Sequence, residues 1–360
     1  MAVLPADWPG GFWVHWGVFV VIIFVFVLAM VMGFIWFERR ALGIMQARLG
    51  PNRAGPFGLL QPVADVIKLL TKEDIVPAKG DKWVHWLAPV VAVAPMLMIF
   101  AVVPFQGGAS MADLNIGILY IVAVSSISVL GVFMAGWASN NKYSLLGAMR
   151  MVASVVSYEI PVVLSIIGVV LLAGSLSMQQ IVMAQDIPFI LLQPLGFLLF
   201  FIGACAEINR APFDLLEADS EIVAGFNTEY SGMKWGLLFL AEYGEALAIS
   251  AIVTTLFLSG WRGPVLPPWL WFLIKVGAVF FVIVWIRATV PRVRIDQLMA
   301  LAWKFLFPLA LLNLLITAVE ILVFPAVSLW VLVPINIAIM IVLVILWSRL
   351  FKLGWGRVEV

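Results

Sequence analysis

The chain has 360 residues, of which 64% are hydrophobic and only 11% charged, and its formal net charge is +1. Soluble domains carry roughly 25% charged residues, so the composition excludes an ordinary soluble protein, and the balanced charge gives no case for nucleic acid. The single cysteine excludes an internal disulfide and a cysteine-ligated cluster.

Nine apolar runs are long enough to cross a bilayer, since a span needs about 20 apolar residues. They cover residues 16–37, 83–104, 116–138, 148–173, 188–206, 235–258, 270–289, 302–323 and 329–350. All nine are predicted to be helices, because lipid cannot satisfy the backbone polar groups of open strands. The expected fold is an all-α polytopic membrane protein, forming a single membrane domain over residues 1–360.

The distribution of basic residues predicts the orientation, because cytoplasmic loops are enriched in Lys and Arg. With the N-terminus outside, all but two of the 21 Lys and Arg residues fall on the inner side or at its edge, the exceptions being Arg262 and Lys275. This arrangement leaves two long inner segments, at 38–82 and 207–234.

The first inner segment contains a loop rich in Pro and Gly, "RLGPNRAGPFG" (48–58), and then "LLQPVADVIKLLTKED" (59–74), whose apolar residues recur at helical spacing. An amphipathic helix is predicted over 57–72, too charged to span and lying at the interface. Asp65 and Lys68 are three residues apart on one face, where they can pair or both face a cavity. Together with Arg39 they are expected to form a polar site at the membrane surface. The alternative is a surface helix held by lipid, whose basic residues only set the topology.

The second inner segment is acidic and holds six of the chain's 20 acids: Glu207, Asp214, Glu217, Asp219, Glu221 and Glu229. Pro212 suits the first turn of a short helix, in which Asp214, Glu217 and Glu221 would share a face and titrate as a unit. The alternative is a solvated acidic loop, or a docking patch for a basic partner.

Three further acids lie about two helical turns or more inside predicted spans. Glu159, in "SYEIPVV", lies roughly 16 Å into its helix at 1.5 Å per residue, and Pro161 is expected to break the hydrogen-bond ladder there. Glu242 and Glu245, in "LAEYGEAL", share a face of the sixth span. Ionisable groups at such depth mark proton or ligand pathways. The alternative is a structural role, as a neutral, hydrogen-bonded acid between helices. For Glu245 the pathway role and the structural role remain equally open. Glu207 would join the acidic segment to these buried acids.

Five stretches of the sequence carry a resemblance to a known family. They are "ERRALGIMQARLGPNRAGPFGLLQPVADVIKLLTKEDIVP" (38–77), "AGWASNNKYSLLGAMR" (135–150), "SYEIP" (157–161), "EINRAPFDLLEADSEIVAGFNTEYSGMKW" (207–235) and "RATVPRVRIDQLMALAWKFLFPLALLN" (287–313). Over about residues 17–320 the chain resembles the H subunits of bacterial NADH:quinone oxidoreductase (respiratory complex I), the counterparts of the first membrane subunit of the mitochondrial complex.

The resemblance implies a multi-pass subunit of the bacterial inner membrane that has no redox centre or metal of its own. Quinone would be the substrate, while NADH, flavin and iron–sulfur clusters would belong to partner subunits. The implied partners are the peripheral-arm quinone-site and iron–sulfur subunits, small membrane subunits, antiporter-like subunits and the lipid bilayer, with no nucleic acid.

The resemblance also implies roles for individual residues. The residues that would line or border a quinone tunnel are Glu38, Arg39, Asp65 and Lys68. The acidic-loop residues beside it would be Asp214, Glu217, Asp219, Glu221 and Glu229. A buried carboxylate path toward the antiporter-like subunits would continue through Glu207, Glu159 and Glu242, so that quinone reduction is coupled to proton movement.

The sequence departs from the family pattern at several positions. Leu216 replaces a proline, and "SSIS" (125–128) stands where some members carry a glutamate. The usual "AEYAN" is "AEYGE" here, so Glu245 adds an acid that could substitute. The run 329–350 is absent from shorter members and is expected to be peripheral packing.

Three alternatives stay open at this point. The same acids would suit a stand-alone ion transporter or channel. A scaffold that only anchors a soluble module would need none of them. The homologous subunit of a membrane-bound hydrogenase, or of a ferredoxin- or deazaflavin-linked oxidoreductase, would look similar, because the electron donor binds in other subunits.

Overall fold

The computed structural model describes residues 11–107, 112–214, 222–324 and 329–350, and the regular secondary structure within these ranges is helical. The helices are α1 (Gly11–Met45), α2 (Gln61–Thr71), α3 (Lys82–Ile99), α4 (Gly117–Ala138), α5 (Lys142–Ala173), α6 (Met178–Ala184), α7 (Phe189–Leu192), α8 (Pro194–Glu207), α9 (Gly232–Phe257), α10 (Pro268–Thr289), α11 (Ile295–Val323) and α12 (Leu329–Leu350). The segment Leu301–Leu306 of α11 is wound as a π-helix.

Eight helices of the described part are long and apolar enough to cross a membrane: α1, α3, α4, α5, α9, α10, α11 and α12. This confirms the all-α polytopic fold. The predicted fifth span, 188–206, is instead divided into α7 and α8 at Gln193, because Pro194 disfavours a helical conformation in the residue before it. With 14 residues, α8 is about 21 Å long, shorter than the roughly 30 Å hydrocarbon core. The count of nine spans is therefore not established.

Loops predicted on the same side of the membrane contact one another. Among the inner segments, the backbone N–H of Ile75 donates to Ser231 Oγ at 2.9 Å. Among the outer ones, Ser177 Oγ donates to Asp113 Oδ1 at 3.2 Å. These contacts are consistent with helices that alternate in direction. Which face is inside stays a prediction.

The core is built where small residues let helices approach closely, as is usual in membrane bundles. The pair α3 and α4 is an example, because a Cβ added to Gly131 would lie 2.6 Å from the backbone N of Ala92. A Cβ added to Gly244 of α9 would lie 2.1 Å from Met96 Cε of α3. Helix α3 is therefore pressed between α4 and α9, and α5 packs on α4, α8 and α11.

The two expectations about prolines have different outcomes. Helix α5 continues through Pro161, whose missing N–H removes one hydrogen bond of the ladder without ending the helix. The expectation that Pro212 lies in the first turn of a short helix is wrong. Residues 211–213 form a turn and a bend and Asp214 is not helical, so Pro212 does not open a helix in the described part of the segment.

The amphipathic helix is confirmed as α2, inside the predicted range 57–72. Its large apolar side chains are exposed: Val63, Val66, Ile67 and Leu70, together with Leu59 and Leu60 just before it. The helix therefore presents an apolar strip that the described part of the chain leaves exposed.

Candidate functional site

Four charged side chains from four parts of the chain meet beneath the inner segments. Arg210 Nη1, after α8, donates to Glu38 Oε2 of α1 at 2.5 Å, and both side chains are almost fully buried. Arg287 Nη1 of α10 donates to the other oxygen of Glu38. Arg210 Nε lies 3.3 Å from Glu242 Oε1 of α9. We call Glu38, Arg210, Glu242 and Arg287 the charged quartet. Its two positive and two negative charges cancel, which is what buried charges require.

Arg210 lies at the centre of the quartet. Its guanidinium carbon is 4.0 Å from the ring centroid of Tyr243, a cation–π distance. Burial by itself lowers the pKa of Arg210, but the neighbouring carboxylates of Glu38 and Glu242 outweigh burial and raise the pKa above its usual value. Arg210 therefore stays charged and pairs with the carboxylates of both Glu38 and Glu242. One signal of this role is present in the sequence, since no other basic residue occurs between Arg210 and Lys234.

An inner cavity adjoins the quartet. It is lined by Arg210, Glu242 and Arg287 and also by Asp214 and Glu245. Of the predicted site residues, Asp214 and Glu242 are thus brought together here. The asparagines 209 and 227 add amide groups to the lining. Within the described residues, no group of three His, Cys, Asp or Glu side chains is arranged to hold a metal ion.

A second cavity lies among α3, α4, α5, α8 and α9, and we call it the buried cavity because its lining comes from these apolar helices. Its ionisable lining residues are Glu159, Glu207 and Glu245, so the predicted pair Glu159 and Glu207 meet in one space. Ser126 Oγ of α4 donates to Glu159 Oε1. The "SSIS" segment, which lacks the glutamate of some family members, therefore supplies hydroxyl groups to the same space.

The predicted surface site is formed in part. Arg39 Nη1 donates to Asp65 Oδ2 at 2.5 Å, and both side chains are partly exposed, at 39% and 25%. Gln61 Nε2 donates to the other oxygen of Asp65 at 3.2 Å. Asp65 thus pairs with Arg39 and not with Lys68, whose side chain is exposed. Because Glu38 and Arg39 are consecutive in α1, one helix end joins this surface pair to the buried quartet.

The six acids of the second inner segment do not form a single described cluster. Glu217, Asp219 and Glu221 lie outside the described residues. Glu229 accepts a hydrogen bond from Asn141 Nδ2 at 2.8 Å and lines a separate surface pocket with Lys79 and Lys142. It is therefore not part of the inner cavity.

Comparison with known proteins identifies the family. Residues 18–318 match the family model described as NADH dehydrogenase. The chain is 64% identical over 349 residues to the NADH-quinone oxidoreductase H subunit of Dehalococcoides mccartyi (strain CBDB1), covering 97% of this chain and 99% of the relative. It is 51% identical over 311 residues to an H subunit of the same enzyme, the one numbered 2, from Geobacter sulfurreducens, covering 84% and 94%. It is 53% identical over 302 residues to the H subunit of Geobacillus kaustophilus, covering 81% and 91%. The chain therefore belongs to the family of H subunits of NADH-quinone oxidoreductase, the membrane subunits of respiratory complex I.

Proposed function

We propose that this subunit forms part of a quinone tunnel and couples quinone reduction to proton translocation through its buried carboxylates. The charged quartet is the observation that carries the proposal, because it ties the end of α1 to a cavity lined by acids. The names of the relatives supply the reaction class. NADH oxidation, the flavin and the iron–sulfur clusters belong to partner subunits, and quinone is the substrate.

The tunnel wall would be formed by Glu38, Arg39, Asp65 and Lys68 beside the exposed apolar strip of α2. A quinone has a polar head and an apolar tail, and sites for such molecules combine an apolar lining with a few polar groups that fix orientation. The Arg39–Asp65 pair supplies polar groups next to that strip. The exposed Lys68 adds a positive charge on the same short helix.

Coupling would begin with the local change in charge when the quinone is reduced. Reduction to quinol takes up two protons, so the balance of charge at the end of α1 must change. Glu38 and Glu242 both lie against Arg210. When one of these carboxylates takes up a proton and loses its charge, Arg210 interacts more strongly with the other carboxylate. The quartet thereby passes a change at α1 to the inner cavity, where Asp214 and Glu242 exchange protons.

Glu207 and Glu159 would then carry the change onward through the buried cavity, toward the antiporter-like subunits. Ser126 supports this role, because its hydroxyl donates to Glu159 Oε1 inside this cavity. The acids Glu217, Asp219 and Glu221 are proposed to act with Asp214 beside the tunnel. For Glu229 we propose a place at the surface where the peripheral arm docks, since it lies beside Lys79 and Lys142.

The proposed assembly places this chain in the bacterial inner membrane. Its inner segments 38–82 and 207–234 would face the peripheral-arm quinone-site and iron–sulfur subunits. Its membrane helices would contact lipid, the small membrane subunits and the antiporter-like subunits. Helix α12 would pack at the periphery.

The coupling is tested with Glu159→Gln and Glu242→Gln in the assembled complex, reconstituted into proteoliposomes. Glutamine keeps the size of the side chain but cannot carry a proton, so both variants are expected to pump fewer protons while assembling normally. Glu320→Gln is the matched control, because Glu320 is an acid in the last turn of α11 that lines neither cavity. A wild-type ratio of protons to electrons in both test variants would refute the relay.

The tunnel is tested separately by labelling residues 38–70 with and without a quinone-site inhibitor. The inhibitor is expected to protect this range, and a scaffold that only anchors the peripheral arm predicts no protection. Ion flux by this chain alone in liposomes would favour a stand-alone transporter. Neighbouring genes that lack a flavin subunit would favour the hydrogenase-like or ferredoxin- or deazaflavin-linked alternative.

A further inference from the structure

We propose that Glu245 is the proton-carrying link between the inner cavity and the buried cavity. The inference rests on the proposed function and names the residue that makes the two cavities one path. Without such a link, Asp214 and Glu242 lie in one space, and Glu159 and Glu207 lie in another.

The two linings have only Met151 and Glu245 in common among the described residues. Met151 is buried and its thioether does not bind protons at neutral pH. Met151 therefore forms an apolar wall between the cavities, and Glu245 is the ionisable group that reaches both sides of it.

The position of Glu245 is fixed on three sides. It follows Glu242 by three residues on α9, so the two side chains lie on neighbouring turns of one face. Ser128 of α4 lines the buried cavity together with Glu245, and its Oγ donates to the carbonyl of Ser125 at 2.9 Å. Glu207 of α8 is close enough to Glu245 to interact with it electrostatically. The absence of a side chain at Gly244 lets α9 lie tightly against α3, which holds this face toward α4 and α8.

The transfer needs no other reactant. An O–H bond forms at the carboxylate of Glu245 as one breaks at a protonated acid of the inner cavity. The same proton then leaves Glu245 for the carboxylate of Glu207, and Glu245 returns to its starting form. Helix α4 lines the buried cavity with the hydroxyls of Ser125, Ser126 and Ser128, which donate hydrogen bonds but do not store a proton near neutral pH.

The experiment compares proton pumping by Glu245→Gln, Glu245→Asp and Ser128→Ala in the whole complex in proteoliposomes. Glutamine keeps the volume of the side chain but cannot be protonated, so pumping is expected to fall on the order of 10²-fold. Aspartate restores an acid and is expected to recover a large part of the rate. Ser128→Ala keeps the acid and is expected to pump faster than Glu245→Gln, and Glu320→Gln serves again as the control.

The outcomes separate this inference from the proposed function. Wild-type pumping in Glu245→Gln, with impaired pumping in Glu159→Gln and Glu242→Gln, overturns the link and leaves the relay standing. Wild-type pumping in all three variants removes the relay itself. Equal losses in Glu245→Gln and Glu245→Asp, or as large a loss in Ser128→Ala, show a packing role and also overturn the link.

Discussion

Replacing Glu38 by glutamine tests whether the charged quartet is held together by charge. The change keeps the shape of the side chain and removes the negative charge between Arg210 and Arg287. Arg210 is almost fully buried, and among the described residues the carboxylate that would remain paired with it is Glu242, at 3.3 Å. Glu38→Gln is therefore expected to destabilise the subunit strongly.

The size of the expected loss in stability follows from the burial of Arg210. Removing one partner of a buried ion pair costs about 3–5 kcal/mol, because the other charge stays buried and uncompensated. We expect about 3 kcal/mol here, since the amide oxygen of glutamine can still accept one hydrogen bond. The matched control is Asp65→Asn, which breaks an ion pair of the same length, 2.5 Å, in a more exposed place. Exposed pairs contribute about 0.2–1 kcal/mol.

The assay is the heat-induced loss of the subunit from the detergent-solubilised complex, followed on native gels. The midpoint temperature is expected to fall several times further for Glu38→Gln than for Asp65→Asn. The double variant Glu38→Gln/Arg210→Gln is expected to be more stable than Glu38→Gln, because it also removes the unpaired buried charge. An equal or larger fall for Asp65→Asn would refute the argument, as would a double variant less stable than Glu38→Gln.

Two further predictions concern structure away from the quartet. Gly58→Ala is expected to destabilise the loop before α2 by roughly 1–3 kcal/mol, because the residue has a φ of 76° and a Cβ would lie 2.2 Å from the carbonyl oxygen of Pro51. Gly33→Ala is the control, because a Cβ added at Gly33 would have no heavy atom within 4 Å. Equal midpoint temperatures of the two variants would contradict the prediction. Asn336→Leu is expected to loosen α12, because Asn336 Nδ2 donates to the carbonyl oxygen of Leu192 at 2.7 Å and such membrane contacts contribute about 1 kcal/mol. Faster hydrogen exchange in α12 with normal quinone reduction would support the second prediction, and unchanged exchange would contradict it.

The sequence predicted the elements of the fold well where the signal is local. Eight of the nine long apolar runs became single long helices, and the apolar period in 59–70 became α2, because both signals depend only on neighbouring residues and on lipid. The break at Gln193 was missed, although Pro194 is the residue that causes it. An apolar count does not register a proline whose effect is on the preceding residue.

The candidate site was predicted residue by residue but not as an arrangement. Glu159 and Glu242 were identified by their predicted depth in the bilayer. Placing an ionisable group at such depth costs free energy in any fold, so the signal does not depend on the tertiary structure. Their separation into two cavities was not foreseen, and neither was the position of Glu245 between them. Arg287 was counted only as a topology signal, although it donates to Glu38.

The amino-acid sequence alone determined that this chain is a helical membrane protein with costly acids inside its spans, because hydropathy and charge act through the solvent around each segment. The tertiary structure alone decided which charges meet. Glu38 and Arg210 are 172 residues apart in the chain, and Glu38 and Arg287 are 249 apart. Contacts of that range depend on how α1, α8, α9 and α10 pack, which no local pattern encodes.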